Sequence, residues 1–219
     1  MTRGKKIRVL LAEDHQIVRE GLRRLVAGEP DMEVAGEAAD GRAALREAER
    51  TKPDVVIMDL SMPALNGIEA TRQIAGRPGA PRVICLSMHN EQKMVSAMLQ
   101  AGAAGYLLKS CASRELAEAI RTVASGKTYH SPDVAGQVVD AFVRTRLAPK
   151  GSVFGQLTDR EREIVQLIAE GPSAKEIAAR LSISQKTVLA HRLHVLKKLS
   201  LHSDAELTRY ALKQGLTEL

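Results

Sequence analysis

The chain has 219 residues, of which 44% are hydrophobic and 26% are charged, and this composition is typical of a soluble chain with one large domain or two modest ones. Its apolar runs fall short of the roughly 20 residues that span a bilayer, and MTRGKKIRV leads into a strand pattern rather than a signal peptide, so we expect a cytoplasmic protein with no membrane partner. The formal charge of +6 is too modest for a chain that is basic throughout, so nucleic-acid binding has to rest on a local basic face.

Strand-like apolar runs alternate with helical patterns up to residue 126. The strand-like runs are IRVLLA (7–12), EVAGEA (33–38), DVVIM (54–58), RVICLS (82–87) and GYLLK (105–109). Helical patterns follow them in residues 15–28, 41–50, 66–76, 91–102 and 113–126. This alternation predicts βαβ units with right-handed crossovers, and therefore an α/β fold with a doubly wound, five-stranded parallel sheet of the flavodoxin-like type.

Polar side chains stand at the ends of four of these apolar runs. Glu13 and Asp14 follow the first run and Asp59 follows the third, while Ser87 and Lys109 end the fourth and fifth. The carboxyl ends of parallel strands meet at one edge of the sheet, where open α/β sheets bind ligands. Helix capping or solvation explains each residue taken alone, but the ordered set predicts one crevice that holds carboxylates, a hydroxyl and an ammonium.

Such a crevice has the groups that a phosphorylation site needs. A carboxylate attacks phosphorus only if the negative charges of both partners are neutralised. Mg²⁺ does this when one or two carboxylates hold it and water fills the remaining positions. We predict Asp14 and Asp59 as ligands, with Glu13 holding a coordinated water. Lys109 would pair with the phosphoryl oxygens, and Ser87 would donate a hydrogen bond to them.

The segments LLAEDH, VIMDLSMPALNG, VICLSMH and GAAGYLLKS resemble, in this order, the receiver domain of two-component response regulators. The resemblance implies that Asp59 is the phosphoacceptor, that Glu13 and Asp14 are the acidic pair for Mg²⁺, and that Ser61 adds a backbone carbonyl ligand. It also implies that Ser87 and Lys109 read the phosphoryl group. Tyr106 matches a switch aromatic, whose ring turns inward as Ser87 moves towards the phosphate. Many relatives have Thr in place of Ser87, which keeps the hydrogen bond and adds a methyl group.

The strand and helix alternation ends after Gly126. A helical pattern in residues 131–147 has an apolar face formed by Val134, Val138, Phe142 and Val143. Pro149, Gly151 and Gly155 then interrupt any regular pattern. We therefore predict a receiver domain in residues 1–126, a linker helix and flexible joint in 127–156, and an all-helical domain in 157–219.

The last segment shows only helical patterns, in residues 159–171, 173–181, 184–199 and 203–215. Thr158 and Ser184 are predicted N-caps, and Glu161 completes a capping box with Thr158. The segment LSIS joins two predicted helices, and the second of these is basic. This arrangement suggests a domain that binds DNA in a sequence-specific way. The segment from about Gln156 to Leu216 resembles the LuxR-type helix-turn-helix, so the whole chain resembles a response regulator of the NarL/FixJ class.

The second helix of this motif is predicted to enter the major groove. At about 100° per residue, Val188, Val195 and Leu199 form its core stripe, with Arg192 and Leu196 at the edge. The predicted DNA-contacting residues are Lys186, Thr187, Ala190, Leu193, His194 and Lys197. We expect the lysines near phosphates and the apolar side chains near bases. Leu189 replaces a residue that is polar in many relatives, so contact with thymine methyls or shape readout is expected to carry specificity.

The combined resemblance implies a DNA-binding transcriptional regulator controlled by phosphorylation, and not an enzyme with an external substrate. A sensor histidine kinase would phosphorylate Asp59, with the receiver catalysing its own phosphotransfer and slow dephosphorylation. Ser87 and Tyr106 would then reposition, and the surface around the fourth and fifth receiver helices would change its contacts. A homodimer formed on phosphorylation would bind double-stranded promoter DNA.

Two alternatives remain open at this point. The first is a constitutive regulator whose receiver is only a dimerisation module, for which Asp59→Ala would leave DNA binding unchanged. The second is a flavodoxin-like enzyme or phosphatase that uses the acidic crevice on an external substrate. Two observations count against this second alternative: the turn EDHQIVREG after the first strand has no glycine-rich phosphate cradle, and the helical tail would be unexplained. Both alternatives rank below the switch.

Overall fold

The structure is a computed structural model that describes residues 5–88, 90–138, 157–214 and 216–217. The chain divides into two compact units, Met1–Leu147 and Ala148–Leu219. The expected flexible joint, together with Phe142 and Val143 of the linker helix, lies outside the described residues.

The first unit alternates strands and helices along the chain. Its elements are β1 (Ile7–Ala12), α1 (Gln16–Ala27), β2 (Met32–Ala38), α2 (Gly41–Thr51), β3 (Val55–Asp59), α3 (Gly67–Ala75), β4 (Arg82–Ser87), α4 (Gln92–Gln100), β5 (Gly105–Leu108), α5 (Ala112–Ala124) and β6 (Tyr129–His130). The strands form one parallel sheet in the order β2-β1-β3-β4-β5-β6. The doubly wound parallel fold is confirmed, but the predicted number of five strands is wrong. Two residues are too few to show an alternating pattern, so β6 left no signal in the sequence.

Both faces of the sheet are covered by helices because successive strand side chains point to opposite sides. Leu11 and Ile57 belong to an apolar cluster that includes side chains of α1 and α5. Leu10 and Met58 belong to a cluster on the other face with side chains of α2 and α3. All five residues of β3 are buried, which fits a central strand and fixes the position of Asp59 at its end.

A third apolar cluster lies at the β5 end of the sheet. It contains Tyr106, Cys85 and Met98, all fully buried, with Met94 packed partly buried against it. Met98 is therefore part of the core at this edge, with Met94 at its margin. Val134, from the segment after β6, is fully buried in the same cluster, so the chain that leaves the sheet folds back onto this edge.

The second unit is helical in its described part, with α6 (Asp159–Ala169), α7 (Ala174–Leu181), α8 (Gln185–Leu199) and α9 (Asp204–Gln214). Thr158 and Glu161 form the predicted capping box, and the Ser184 side chain accepts a hydrogen bond from the backbone N–H of Thr187. The core of the unit is formed mainly by α6, α8 and α9. Among the described residues, no helix has both the length and the apolar character needed to span a membrane.

Candidate functional site

An acidic crevice lies at the carboxyl ends of two neighbouring strands. Glu13 and Asp14 directly follow β1, Asp59 ends β3, and these strands are paired in the sheet. Glu13 and Asp59 are buried, and Asp14 is partly exposed. Metal-ligating atoms of Glu13, Asp14, His15 and Asp59 all lie within 4.8 Å of one another. The fold therefore brings together the three carboxylates that the strand-end pattern predicted.

Lys109 enters the same crevice from the end of β5. Its Nζ lies 2.8 Å from Glu13 Oε2 and 3.0 Å from Asp59 Oδ1. Burial lowers the pKa of this ammonium, but the hydrogen bond to Glu13 and the charge of Asp59 outweigh burial and the net pKa is raised. Lys109 is thus held as a cation between two carboxylates.

The single lysine does not balance the acidic charge around Asp59. The pKa of Asp59 is raised to about 6, first by burial and then by the charge of Glu13, while Lys109 opposes both effects. The side-chain oxygens Glu13 Oε2 and Asp14 Oδ1 are buried, and each lies beside a side-chain nitrogen, Lys109 Nζ at 2.8 Å and His15 Nδ1 at 2.9 Å. This set of hard oxygen donors with surplus negative charge fits a divalent cation such as Mg²⁺.

Two further residues support the acidic pair, and the sequence analysis missed both. His15 Nδ1 lies 2.9 Å from Asp14 Oδ1 and 3.2 Å from Glu13 Oε1. Arg19 donates a 2.6 Å hydrogen bond from Nη1 to the backbone carbonyl of Glu13, and its Nε lies 3.3 Å from Glu37 Oε2 on β2. Adjacency to the acidic pair could have indicated His15, but no residue pattern signals a contact with a backbone carbonyl.

The loop after β3 is held against the Asp59 backbone by a glycine. A Cβ added at Gly67 would lie 1.9 Å from the Asp59 carbonyl oxygen, so no larger residue fits without moving this backbone. The Gly67 N–H donates a 2.9 Å hydrogen bond to the carbonyl of Leu60. Asn66 caps α3 by accepting a hydrogen bond from the Glu69 N–H. Ser61 stands in this loop, and its role as a carbonyl ligand stays a prediction.

Ser87 and Tyr106 occupy neighbouring strands on the far side of Asp59. Asp59 pairs with Leu86 in the β3–β4 register, which places Ser87 one residue further along β4. Burial raises the pKa of the Tyr106 phenol, although a side-chain hydrogen bond with Ser87 lowers it. Tyr106 is fully buried. In this structure the ring that the resemblance marks as a switch already lies inside, hydrogen-bonded to Ser87.

A second candidate site is the exposed face of α8. Val188, Val195, Leu196 and Leu199 are buried, which confirms the predicted core stripe. The opposite face exposes Lys186, Leu189, Ala190, Leu193, His194 and Lys197. Leu193 is 63% exposed, which is unusual for a leucine and leaves it free to meet a partner. Thr187 is only partly buried and its hydroxyl hydrogen-bonds the Ser184 cap.

The basic side chains of α8 differ in whether an acidic side chain lies close to them. Lys198 Nζ lies 2.8 Å from Glu161 Oε2, and His194 Nδ1 lies 3.4 Å from Glu161 Oε1. Arg192 forms a 2.7 Å ion pair with Asp204. Within the described part of the chain, Lys186 and Lys197 have no acidic partner at ion-pair distance. Only these two lysines of the helix are left to meet an external anion.

Comparison with known proteins matches each unit of the chain to a known family. The family model "Response regulator receiver domain" matches residues 9–121, and "Bacterial regulatory proteins, luxR family" matches residues 155–211. The chain is 40% identical to the response regulator UvrY of Escherichia coli strain K12 over 96% of this chain and 95% of UvrY.

Solved structures show the same similarity. A complex of the two-component response regulator RcsB with DNA is 28% identical, with a TM-score of 0.59 over 96% of this chain and 99% of RcsB. A structure of two RcsB dimers bound to two parallel DNAs is also 28% identical, with a TM-score of 0.58 and the same coverage. Each of these similarities extends over both units of the chain.

Proposed function

Since this chain belongs to the two-component response regulators of the NarL/FixJ class, which join a receiver domain to a LuxR-type DNA-binding domain, we propose that Asp59 accepts a phosphoryl group from a sensor histidine kinase. The observation that carries this assignment is the position of Asp59, buried at the end of β3 with its Oδ1 3.0 Å from Lys109 Nζ and its pKa raised to about 6. A carboxylate destabilised in this way gains from any step that spreads or neutralises its charge.

Asp14 and Asp59 are the side chains that would hold Mg²⁺, with Glu13 acting through a coordinated water and Ser61 through its backbone carbonyl. When bound, the ion neutralises charge on the carboxylate and on the incoming phosphoryl group. An oxygen of Asp59 then forms the bond to phosphorus as the bond from phosphorus to the donor breaks. His15 and Arg19 would orient the acidic pair, because they bond its side chains and its backbone.

Lys109 and Ser87 would read the new phosphoryl group. Lys109 now divides its charge between Glu13 and Asp59, and phosphoryl oxygens on Asp59 would be a stronger partner for it. Ser87 now shares its hydrogen bond with Tyr106. Turning that hydroxyl towards the phosphoryl group would change what holds the Tyr106 ring. Slow hydrolysis of the acyl phosphate by the receiver itself would reset the site.

The exposed face of α8 would bind double-stranded promoter DNA. Lys186 and Lys197 would neutralise phosphates, and Ala190 and Leu193 would lie near base edges, where apolar contact with thymine methyls gives specificity. One such helix supplies few phosphate contacts, so a homodimer formed on phosphorylation would provide useful affinity. The structure of RcsB dimers on DNA, a relative at 28% identity, supports a dimeric complex.

The test compares the full chain with Asp59→Ala after incubation with Mg²⁺ and acetyl phosphate. We expect a phosphoryl-sized mass gain, a shift towards dimer and tighter promoter binding, all lost in Asp59→Ala. Asp54→Ala is the matched control, because Asp54 stands at the opposite end of β3 and caps the Arg8 backbone N–H. A mass gain that survives in Asp59→Ala would rule out Asp59. Unchanged DNA binding in that variant would favour the constitutive alternative.

A further inference from the structure

Residues 129–134, called the strap below, connect the switch tyrosine to the segment that leaves the receiver. The β6 residue His130 pairs with Tyr106 in the parallel register of β5. The Ser131 N–H donates a 3.0 Å hydrogen bond to the Tyr106 carbonyl, and the Tyr129 N–H donates one of 3.1 Å to Ala104. The strap therefore continues the backbone hydrogen bonding of the sheet beyond β5, and it does so at Tyr106, the residue with the proposed switch side chain.

A partly buried polar clasp also fixes the strap to α5. The hydroxyl of Ser131 donates to Glu115 Oε2, and the hydroxyl of Tyr129 lies 3.3 Å from the same oxygen. Ser131 is fully buried. Hydrogen bonds to a carboxylate are among the stronger ones, and a buried hydroxyl such as that of Ser131 is costly to leave without a partner. The clasp holds the strap in one position against α5.

The far end of the strap packs into the cluster that contains Tyr106. Val134 is fully buried there beside side chains of α4 and β5, and Val138, one helical turn later, packs against the same cluster. Protein interiors are packed to crystal-like density. The ring of Tyr106 therefore has no free space to change its position unless Val134 or its neighbours move.

The surface around the fourth and fifth receiver helices was expected to change its contacts on phosphorylation. In the structure, the protein's own residues 134 and 138 occupy the apolar cluster between α4 and β5. The segment that covers this edge is also the start of the chain connection to the second unit. The partner of the α4–β5 edge in this state is thus the linker itself.

We propose that the strap is the output element of the receiver, through which phosphorylation of Asp59 repositions the linker. The proposal rests on the proposed function, because it needs the phosphoryl group on Asp59 to draw Ser87 away from Tyr106. The connection then runs from Ser87 through Tyr106 to Val134, and from there into residues 135–138. Because coupling between two sites is reciprocal, a loosened strap has to alter the phosphorylation equilibrium in return.

Hydrogen–deuterium exchange of the full chain tests the proposal directly. We would compare a peptide covering residues 127–138 before and after treatment with Mg²⁺ and acetyl phosphate, with the phosphoryl mass recorded on the same sample. We expect exchange in this peptide to change at least threefold on phosphorylation in the wild type, and not at all in Asp59→Ala. A mass gain with unchanged exchange in this peptide would overturn the proposal and leave the proposed function standing. Absence of a mass gain would remove both.

A pair of valine variants separates coupling from simple loss of core packing. Val134→Ala and Val123→Ala delete the same groups from fully buried positions, but Val123 lies in the α1–α5 cluster and not in the cluster of Tyr106. We expect Val134→Ala to reduce the phosphorylation-dependent gain in DNA affinity at least threefold while Val123→Ala keeps it. Equal effects of the two variants would contradict the proposal.

A third variant keeps the test decisive if Val134→Ala does not fold. Ser131→Ala removes one of the two hydrogen bonds of the clasp to Glu115 and leaves the apolar cluster intact. Because the coupling is reciprocal, Ser131→Ala should also change the fraction of protein that is phosphorylated at equilibrium with the donor. This fraction should rise if the variant binds DNA more tightly than wild type, and fall if the variant binds DNA more weakly. A clasp variant with wild-type phosphorylation and wild-type switching would overturn the proposal.

Discussion

The ammonium of Lys109 lies 3.0 Å from a carboxylate oxygen of Asp59, and the exposed fractions of these side chains are 13% and 4%. The pair is shared with a second carboxylate, since Glu13 Oε2 is 2.8 Å from the same nitrogen. The crevice therefore contains more negative than positive charge in a poorly hydrated place. The folded protein keeps this unfavourable arrangement, and its energetic consequences can be measured.

Removing the charge of Asp59 is expected to stabilise the fold. The pKa of Asp59 is raised from 3.8 to about 6, so its contribution to stability is fully present below pH 3.8 and is lost as pH rises through about 6. In metal-free buffer at pH 7.5, Asp59→Asn should raise the free energy of unfolding by about 1–3 kcal/mol, since one pKa unit is worth about 1.4 kcal/mol.

Urea unfolding of both proteins from pH 4 to pH 8 in chelator checks this expectation. The stability difference between Asp59→Asn and wild type should be small near pH 4 and should grow through pH 6. Lys109 keeps Glu13 as a partner in the variant, so no new buried cation is left unpaired. A variant that is less stable than wild type at pH 7.5 would show that the ionised carboxylate of Asp59 does not destabilise the folded protein.

Loss of Lys109 should separate metal binding from phosphoryl transfer. In Lys109→Met the competing cation is gone, so Mg²⁺ should bind a few-fold more tightly to the carboxylates. Phosphoryl uptake from acetyl phosphate should nevertheless fall at least tenfold, because a charge partner for the transferring group is missing. Titration of Mg²⁺ and the rate of mass gain measure the two effects. Weaker Mg²⁺ binding in the variant would mean that Lys109 organises the crevice rather than competing in it.

Gly67→Ala should displace the backbone of Asp59, the proposed phosphoacceptor. The added Cβ would meet the Asp59 carbonyl oxygen at 1.9 Å, and backbone cannot yield as a flexible side chain does. We expect a loss of about 2–4 kcal/mol in unfolding free energy and slower phosphoryl uptake in the fraction that folds. Gly21→Ala in α1 is the control, because a Cβ there meets nothing within 4 Å and should stabilise the helix by about 0.5–1 kcal/mol. Equal tolerance at both glycines would disprove this expectation.

Lysines on α8 should differ in their effect on the salt dependence of DNA binding. Lys197→Ala should weaken binding to all sequences and reduce the slope of log K against log salt by about 1. Lys198→Ala is the matched control, since Lys198 is ion-paired with Glu161 and should alter stability more than the slope. Binding measured over a range of salt concentrations decides between them, and equal slopes for the two variants would remove Lys197 from the interface.

Leu193→Ala should act on specificity instead of on charge. Leu193 is the more exposed of two leucines on the side of α8 that is proposed to face DNA, at 63% against 44% for Leu189. Loss of an apolar base contact should cost about 1–3 kcal/mol on the best site and much less on unrelated DNA, with an unchanged salt slope. A uniform loss over all sequences would show that Leu193 does not read bases.

Local patterns in the sequence were enough for the fold and for most of the crevice. Strand-end positions predicted the meeting of Glu13, Asp14, Asp59 and Lys109, because parallel strands bring their carboxyl ends to one edge whatever their distance in the chain. The caps at Thr158 and Ser184 were likewise readable, since a cap depends on residues only three apart.

The sequence by itself determined the alternation of elements, the acidic edge of the sheet and the basic helix of the tail, because each depends on residue type at a fixed period. Tertiary structure alone decided the sixth strand, the support of Glu13 by Arg19, the fit of Gly67 against Asp59 and the burial of Val134 beside Tyr106. These features depend on backbone groups that every residue has, or on close packing between distant segments. Neither produces a pattern of residue types along the chain. Only the folded chain therefore shows that Val134, at the start of the linker, packs in the same cluster as Tyr106.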